Sequence, residues 1–305
     1  MGEEHSHSSA AAAVSGGARY RRALLATFAL TLVFLIVEVA AGLLTNSLAL
    51  LSDAGHMFTD VLGLGMALAA IQASQNAASH PQRTFGVYRL EILAALANAM
   101  LLFGVAVYVI VEAIRRLTDP PDVVTGAMLA VAILGLAVNV VALFLLRAGA
   151  KDNLNVKGAY LEVVADALGS VGVIVAAVVM TITGWLYADA LIAATIGVFV
   201  LPRAWRLARH AVRILIQAAP PHVSTAALQR DLAALTGVVD VHDVHVWTLT
   251  SAMEVASAHL MVRVGADSHA VLDRAREVLH DRYHIEHATL QVEPDDHRGC
   301  EKVSW

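Results

Sequence analysis

The stretch SLALLSDAGHMFTDVLGLGMALAAIQA, residues 47–73, decides how the rest of the chain is read. It is long enough to cross a bilayer, because a hydrocarbon core of about 30 Å takes about 20 mostly apolar residues in a helix. Yet it carries Asp53, His56 and Asp60. Ionisable side chains are costly inside a membrane and by default mark a function. His56 and Asp60 are four residues apart, which stacks them on one helical face about a turn from each other.

Five further runs share this apolar character, at 23–44, 91–114, 123–146, 156–182 and 185–201, so six spans are expected. The first is too long for a signal peptide and is followed almost at once by the second. Of the 305 residues, 58% are hydrophobic and 15% charged, against the roughly 25% charged of an average soluble domain. That excludes a wholly soluble enzyme. A net charge of -5 gives no general attraction for nucleic acid. Cys300, the one cysteine, cannot form an internal disulfide.

Charge also marks the domain boundary. Residues 1–205 hold 24 Asp, Glu, Lys and Arg and residues 206–305 hold 23 in half the length. The expected division is a disordered, Ser/Ala/Gly-rich tail over 1–20, a six-helix transport domain over 21–205, and a cytoplasmic metal-sensing domain over 206–305. His5 and His7 in the tail make a poor metal site by themselves. Arg19, Arg21 and Arg22, then Arg83 and Arg89, then Arg147, Lys151 and Lys157, then Arg203, Arg206, Arg209 and Arg213 fall on one side of the spans, and only Arg115 and Arg116 on the other. Positive residues stay cytoplasmic, so both termini are expected there. The short turns at Thr45-Asn46 and Thr183-Gly184 predict that spans one and two, and five and six, are antiparallel neighbours.

The fifth span repeats the signal of the second, with Glu162 and Asp166 again four apart. His56, Asp60, Glu162 and Asp166 therefore offer four N or O donors from two helices, which suits four-coordinate zinc and is acceptable to Cd, Co or Mn ions. At about 1.5 Å per residue all reach near the midplane. Glu38, Asn98 and Asn139 are expected to make interhelical hydrogen bonds, Asp53 to orient His56, to form an outer-side relay or to begin a helix, Arg89 and Glu91 to pair, and Asp189, beside Trp185 and Tyr187, to lie at the interface.

Beyond the prolines 220 and 221 the period changes. Thr225 to Thr236 and Ser268 to Arg282 read as helices, capped by Ser224 or Thr225 and by Ser268, while Val239 to Leu249, Glu254 to Val264 and Glu286 to Glu293 read as strands. The order fits a ferredoxin-like α+β domain. His242, His245, His259, His287 and Glu293 fall on or beside those strands and are candidate ligands of a second metal site.

Residues 51–60, LSDAGHMFTD, and 160–170, YLEVVADALGS, closely resemble the cation diffusion facilitator family of metal exporters, in its cobalt-zinc-cadmium resistance branch. Phe85 to Glu91 and His242 to Trp247 share the resemblance. It implies six spans, a cytoplasmic ferredoxin-like domain, a homodimer in a bacterial inner membrane, and divalent-metal export coupled to proton entry. By the same resemblance His56, Asp60 and Asp166 match the intramembrane site, and His242 and His259 match zinc-binding positions of the cytoplasmic domain. Many zinc-selective members have His where this chain has Glu162, and a further His where it has Gln291. One nitrogen and three carboxylates form a harder set, which should discriminate less against Cd, Co or Mn ions than an imidazole pair would.

Two other classes compete. An intramembrane metallohydrolase would need an open metal position, but no His-Glu-x-x-His helix occurs. A membrane-anchored metal sensor would leave the paired ligands at the midplane without purpose.

Overall fold

The computed structural model describes residues 8–75, 85, 88–152, 154–250 and 253–296. They form two compact units, one of residues 1–84 with 94–209, the other of 85–93 with 210–305.

The first unit is helical: α1 (Ser8–Thr45), α2 (Leu48–Gln75), most of α3 (Tyr88–Arg116), α4 (Thr125–Leu146), the short α5 (Gly149–Asp152), α6 (Leu154–Thr183) and most of α7 (Tyr187–Leu215), the first residues of α3 and the last of α7 belonging to the second. Helices α1, α3, α4, α6 and α7 each contain a segment long and apolar enough to cross a membrane, and α2, with 28 residues, has the length to do so. The chain is an integral membrane protein with a helical membrane domain. The helix of α1 extends back to Ser8, into the stretch expected as a disordered tail, where the alanines at 10–13 are the best helix formers. His5 and His7 lie outside the described residues.

Polar residues join these helices. Asn98 of α3 donates to the Thr59 carbonyl of α2 at 3.2 Å and Asn139 of α4 to Ser170 Oγ of α6 at 3.3 Å, the expected interhelical bonds. Where α1 crosses α4, a Cβ on Gly135 would lie 2.6 Å from the Phe34 ring, so a larger residue would have to displace that ring. Asn46 at φ 59° and Gly184 at φ 70° make the two tight turns. The first turn does leave α1 and α2 packed together. The second behaves differently. α6 and α7 share an apolar cluster beside their turn, including Ala177 and Ala190. Farther along, α6 packs on α4, whereas α7 buries Val200 and Ala204 against Leu102 and Ala106 of α3.

Asp189, expected at the interface, is buried within the protein. Its carboxylate accepts from Ser47 Oγ at 2.6 Å, Leu48 N at 2.7 Å and Ala49 N at 3.1 Å, and lies 3.6 Å from Arg116 Nη1. A side chain of α7 thus satisfies the orphan N–H groups at the start of α2 and meets the positive end of its dipole. Arg116 also holds the intervening turn, donating to the Asn46 carbonyl at 2.7 Å.

The second unit contains α8 (Thr225–Ala233), β1 (Val238–Thr250), β2 (Met253–Val262), α9 (Ser268–Tyr283) and β3 (His287–Pro294). The sheet order is β1-β2-β3, with β1 and β2 antiparallel and β2 and β3 parallel. A parallel pair needs a crossover, which α9 supplies. Leu228 and Leu232 of α8 and Val271, Ala275 and Leu279 of α9 close one core over the sheet. Ser224 caps α8 as expected. The cap of α9 is Asp267, not Ser268, accepting from the amides of His269 and Ala270. Arg282 and Tyr283 of α9 both donate to Asp231, whose carboxyl they hold below the usual range. Glu91 accepts from Thr250 Oγ1 at 2.8 Å within this unit, where pairing with Arg89 was expected.

Because Asp189 caps α2 from another helix, Asp189→Ala should lower the stability of the purified protein by about 2 kcal/mol, the upper end of measured cap losses. A thermal melt in detergent reads this out. An unchanged melting temperature would remove Asp189 from that role.

Candidate functional site

One turn of α2 carries His56 and Asp60, and α6 brings Asp166 to them. Ligand atoms of these three lie within 4.8 Å of one another. The His56 Nε2 is 3.7 Å from Asp60 Oδ2 and 3.5 Å from Asp166 Oδ1. All three are enclosed, and His56 Nδ1, Asp60 Oδ2 and Asp166 Oδ1 have no hydrogen-bond partner among the described residues. Buried polar atoms are nearly always paired. Two unsatisfied carboxylate oxygens facing an imidazole make a donor set that suits a divalent cation.

Glu162 stands outside that group of three, with a side chain 45% exposed. Its link to the others is Arg203 of α7. The Arg203 Nη2 donates to Glu162 Oε1 at 2.6 Å and to Asp60 Oδ1 at 2.9 Å, while Nη1 lies 3.3 Å from His56 Nε2. Sequence reasoning missed this residue. It follows the last strongly apolar run and reads as one more cytoplasmic cation, whereas α7 continues helical to Leu215, with Pro202 inside it, and carries Arg203 to the ligands.

One turn of α2 before His56, Asp53 is also buried, as is Glu38 of α1, and Asp53 Oδ2 and Glu38 Oε2 have no hydrogen-bond partner among the described residues. Gly169 of α6 makes room for Asp53, since a Cβ there would be 2.8 Å from Asp53 Oδ1. Asp53 lies inside α2 rather than at its start.

The second candidate lies on the sheet. His242 of β1 and His259 of β2 are cross-strand partners, and His259 is in register with Gln291 of β3. The two rings meet edge to face at 5.3 Å, and His259 Nδ1 is 3.4 Å from Glu293 Oε1. His242, His259 and Glu293 have ligand atoms within 4.8 Å of one another. Neither ring nitrogen of His242 has a hydrogen-bond partner among the described residues. Gln291 donates to the Glu293 carboxylate and so steadies it. The remaining histidines are elsewhere. β1 bulges between His242 and His245, with Asp243 at φ 52°, and His245 Nε2 turns to Asp243 Oδ1 at 3.0 Å. His287 is exposed, with its ring 6.1 Å from that of Phe85.

Comparison with known proteins gives these two clusters a setting. Residues 24–216 match the cation efflux transmembrane domain and residues 220–295 the cytoplasmic domain of cation efflux proteins. The chain belongs to the cation diffusion facilitator family. It is 44% identical to the metal cation efflux system protein CzcD of Cupriavidus metallidurans, over 96% of this chain and 90% of that one. It is 41% identical to the zinc transporter ZitB of Escherichia coli, over 96% and 93%. It is 37% identical to the cadmium, cobalt and zinc/H(+)-K(+) antiporter of Bacillus subtilis, over 91% and 90%. The solved metal-bound C-terminal domain of a CzcD transporter is 30% identical, covering 23% of this chain and 99% of its own, with a TM-score of 0.23. Members of the cation diffusion facilitator family are metal cation efflux transporters and not enzymes, so the metallohydrolase and passive-anchor readings give way.

Removing a group that orients a metal ligand weakens affinity by about 10- to 100-fold. Gln291→Leu should therefore weaken one equivalent of zinc bound by the full chain by about tenfold, and His259→Ala should abolish that equivalent. Calorimetric titration of the purified protein checks both, and a full zinc complement in His259→Ala would dismiss the cytoplasmic cluster.

Proposed function

We propose that this protein exports divalent metal from the cytoplasm in exchange for protons, with zinc as the principal cargo and cadmium and cobalt as further ones. The observation that carries this is the convergence of His56, Asp60 and Asp166 from two membrane helices, with buried carboxylate oxygens aimed at one another and at an imidazole. Glu162 completes the set as the ligand that broadens the range of ions. Relatives named as zinc, cadmium and cobalt transporters favour the same cargo.

The coupling follows from electrostatics. Asp60 and Asp166, enclosed beside one another, cannot both remain ionised without a cation, so a dication and protons compete for the same oxygens. Metal binding expels protons, and metal release admits them. If the site faces the two sides in turn, each cycle moves metal outward and protons inward. The ligands stand on two helices, α2 and α6.

Further parts of the reading are the inner membrane of a bacterium as its place, both termini in the cytoplasm, residues 1–20, 21–205 and 206–305 as tail, transport domain and sensor, and a homodimer. In it, metal at His242, His259 and Glu293 regulates transport. His245 and His287 are peripheral to that centre on the grounds of the contacts above.

Uptake into sealed inverted vesicles over a panel of divalent metals, with and without an imposed pH gradient, tests the proposal. Zinc should accumulate only under the gradient, Asp60→Ala and Asp166→Ala should abolish uptake, and Glu162→His should keep zinc while losing cadmium and cobalt. No accumulation of any metal under a gradient would refute export, and unchanged cadmium and cobalt uptake in Glu162→His would refute Glu162 as a selectivity ligand.

A further inference from the structure

We propose that Arg203 is a tethered cation that competes with metal for the transport site, seating itself among the ligands between loads and lowering the affinity so that cargo can leave. This rests on the reading of His56, Asp60, Glu162 and Asp166 as that site.

The geometry is that of a substitute ion. One nitrogen, Nη2, bridges carboxylates from two helices, Asp60 of α2 at 2.9 Å and Glu162 of α6 at 2.6 Å. The other, Nη1, faces His56 Nε2 at 3.3 Å. A guanidinium has only donors, so that contact needs a lone pair on Nε2, the same lone pair a metal ion would take. Three of the four residues assigned to cargo are thus engaged by a positive charge. Asp166 Oδ1 has no hydrogen-bond partner among the described residues.

Arginine suits the task chemically. It keeps its charge at every accessible pH, so it neutralises the carboxylates without itself supplying a coupling proton. Its side chain is 33% exposed here and can swing toward water on its flexible stem. Its origin also matters. The ligands belong to α2 and α6, while Arg203 stands on α7, which buries Val200 and Ala204 against α3. A shift of α7 relative to α2 would withdraw or insert the charge without moving a ligand. Withdrawal opens the site to metal, and insertion displaces the metal while keeping the carboxylates paired, which avoids the several kcal/mol of an uncompensated buried charge.

The apparent affinity of a site available only part of the time falls by the available fraction, so an arginine seated about nine-tenths of the time weakens binding about tenfold. Cobalt titration by optical absorption, on full-length protein in nanodiscs, reads this out. A His242→Ala, His259→Ala background keeps the cytoplasmic cluster out of the signal. Arg203→Gln should bind cobalt about tenfold more tightly, and in vesicles show a lower KM with a lower maximal rate, as expected when release slows. Arg203→Lys, which keeps charge but cannot bridge, should fall between, and it carries the test if the glutamine variant does not assemble. Binding unchanged or weaker in either variant overturns the proposal. Asp166→Ala separates the two layers. If it loses cobalt while Arg203→Gln gains nothing, the site stands and the competitor role fails. If it binds cobalt as well as the parent does, the ligand reading fails and takes the competitor with it.

Discussion

Carboxylates are costly inside a membrane helix bundle unless positive charge lies close by. The proposed function turns on how that charge is supplied to the enclosed Asp60 and Asp166 and to the more exposed Glu162 beside them. Protons, a dication and a guanidinium are the three available sources. Only the first two can be carried across. The third is part of the chain, and the position of Arg203 between Asp60 and Glu162 makes it a rival to the other two.

The scaffold gives such a rivalry consequences. α2 and α6 must hold their ligands in fixed relation, and α2 is held at its start by a carboxylate from α7 as well as by its own Ser47. α7 therefore touches α2 at two places of opposite charge. Near one end Asp189 meets the N-terminus of α2, and farther along Arg203 meets its histidine and aspartate. The apolar surface between them, Val200 and Ala204 against Leu102 and Ala106, is built from small or branched side chains that permit close packing.

Much of this was legible in the residues. The spacing of His56 and Asp60, repeated by Glu162 and Asp166, needs only the helical period and the cost of burying charge, and it locates the candidate site in the chain. The order of helices and strands after Pro221 follows from a change of period. Three features were hidden for physical reasons. Arg203 looks like a flanking cation because the bias of positive residues toward the cytoplasm explains it equally well. Asp189 looks interfacial because Trp185 and Tyr187 adjoin it, and a cap donated by another helix leaves no local trace at the helix it caps. Gln291 reads as a missing ligand, while its amide instead steadies Glu293 beside His259.

The most direct test of the account is a structure of the full chain loaded with cadmium, with the ion located by its anomalous scattering. The account requires a dication bonded to His56 Nε2, Asp60 and Asp166, with the Arg203 guanidinium swung clear of Asp60 and Glu162. Cadmium confined to His242, His259 and Glu293, with Arg203 still bridging Asp60 and Glu162 at saturating metal, would contradict it.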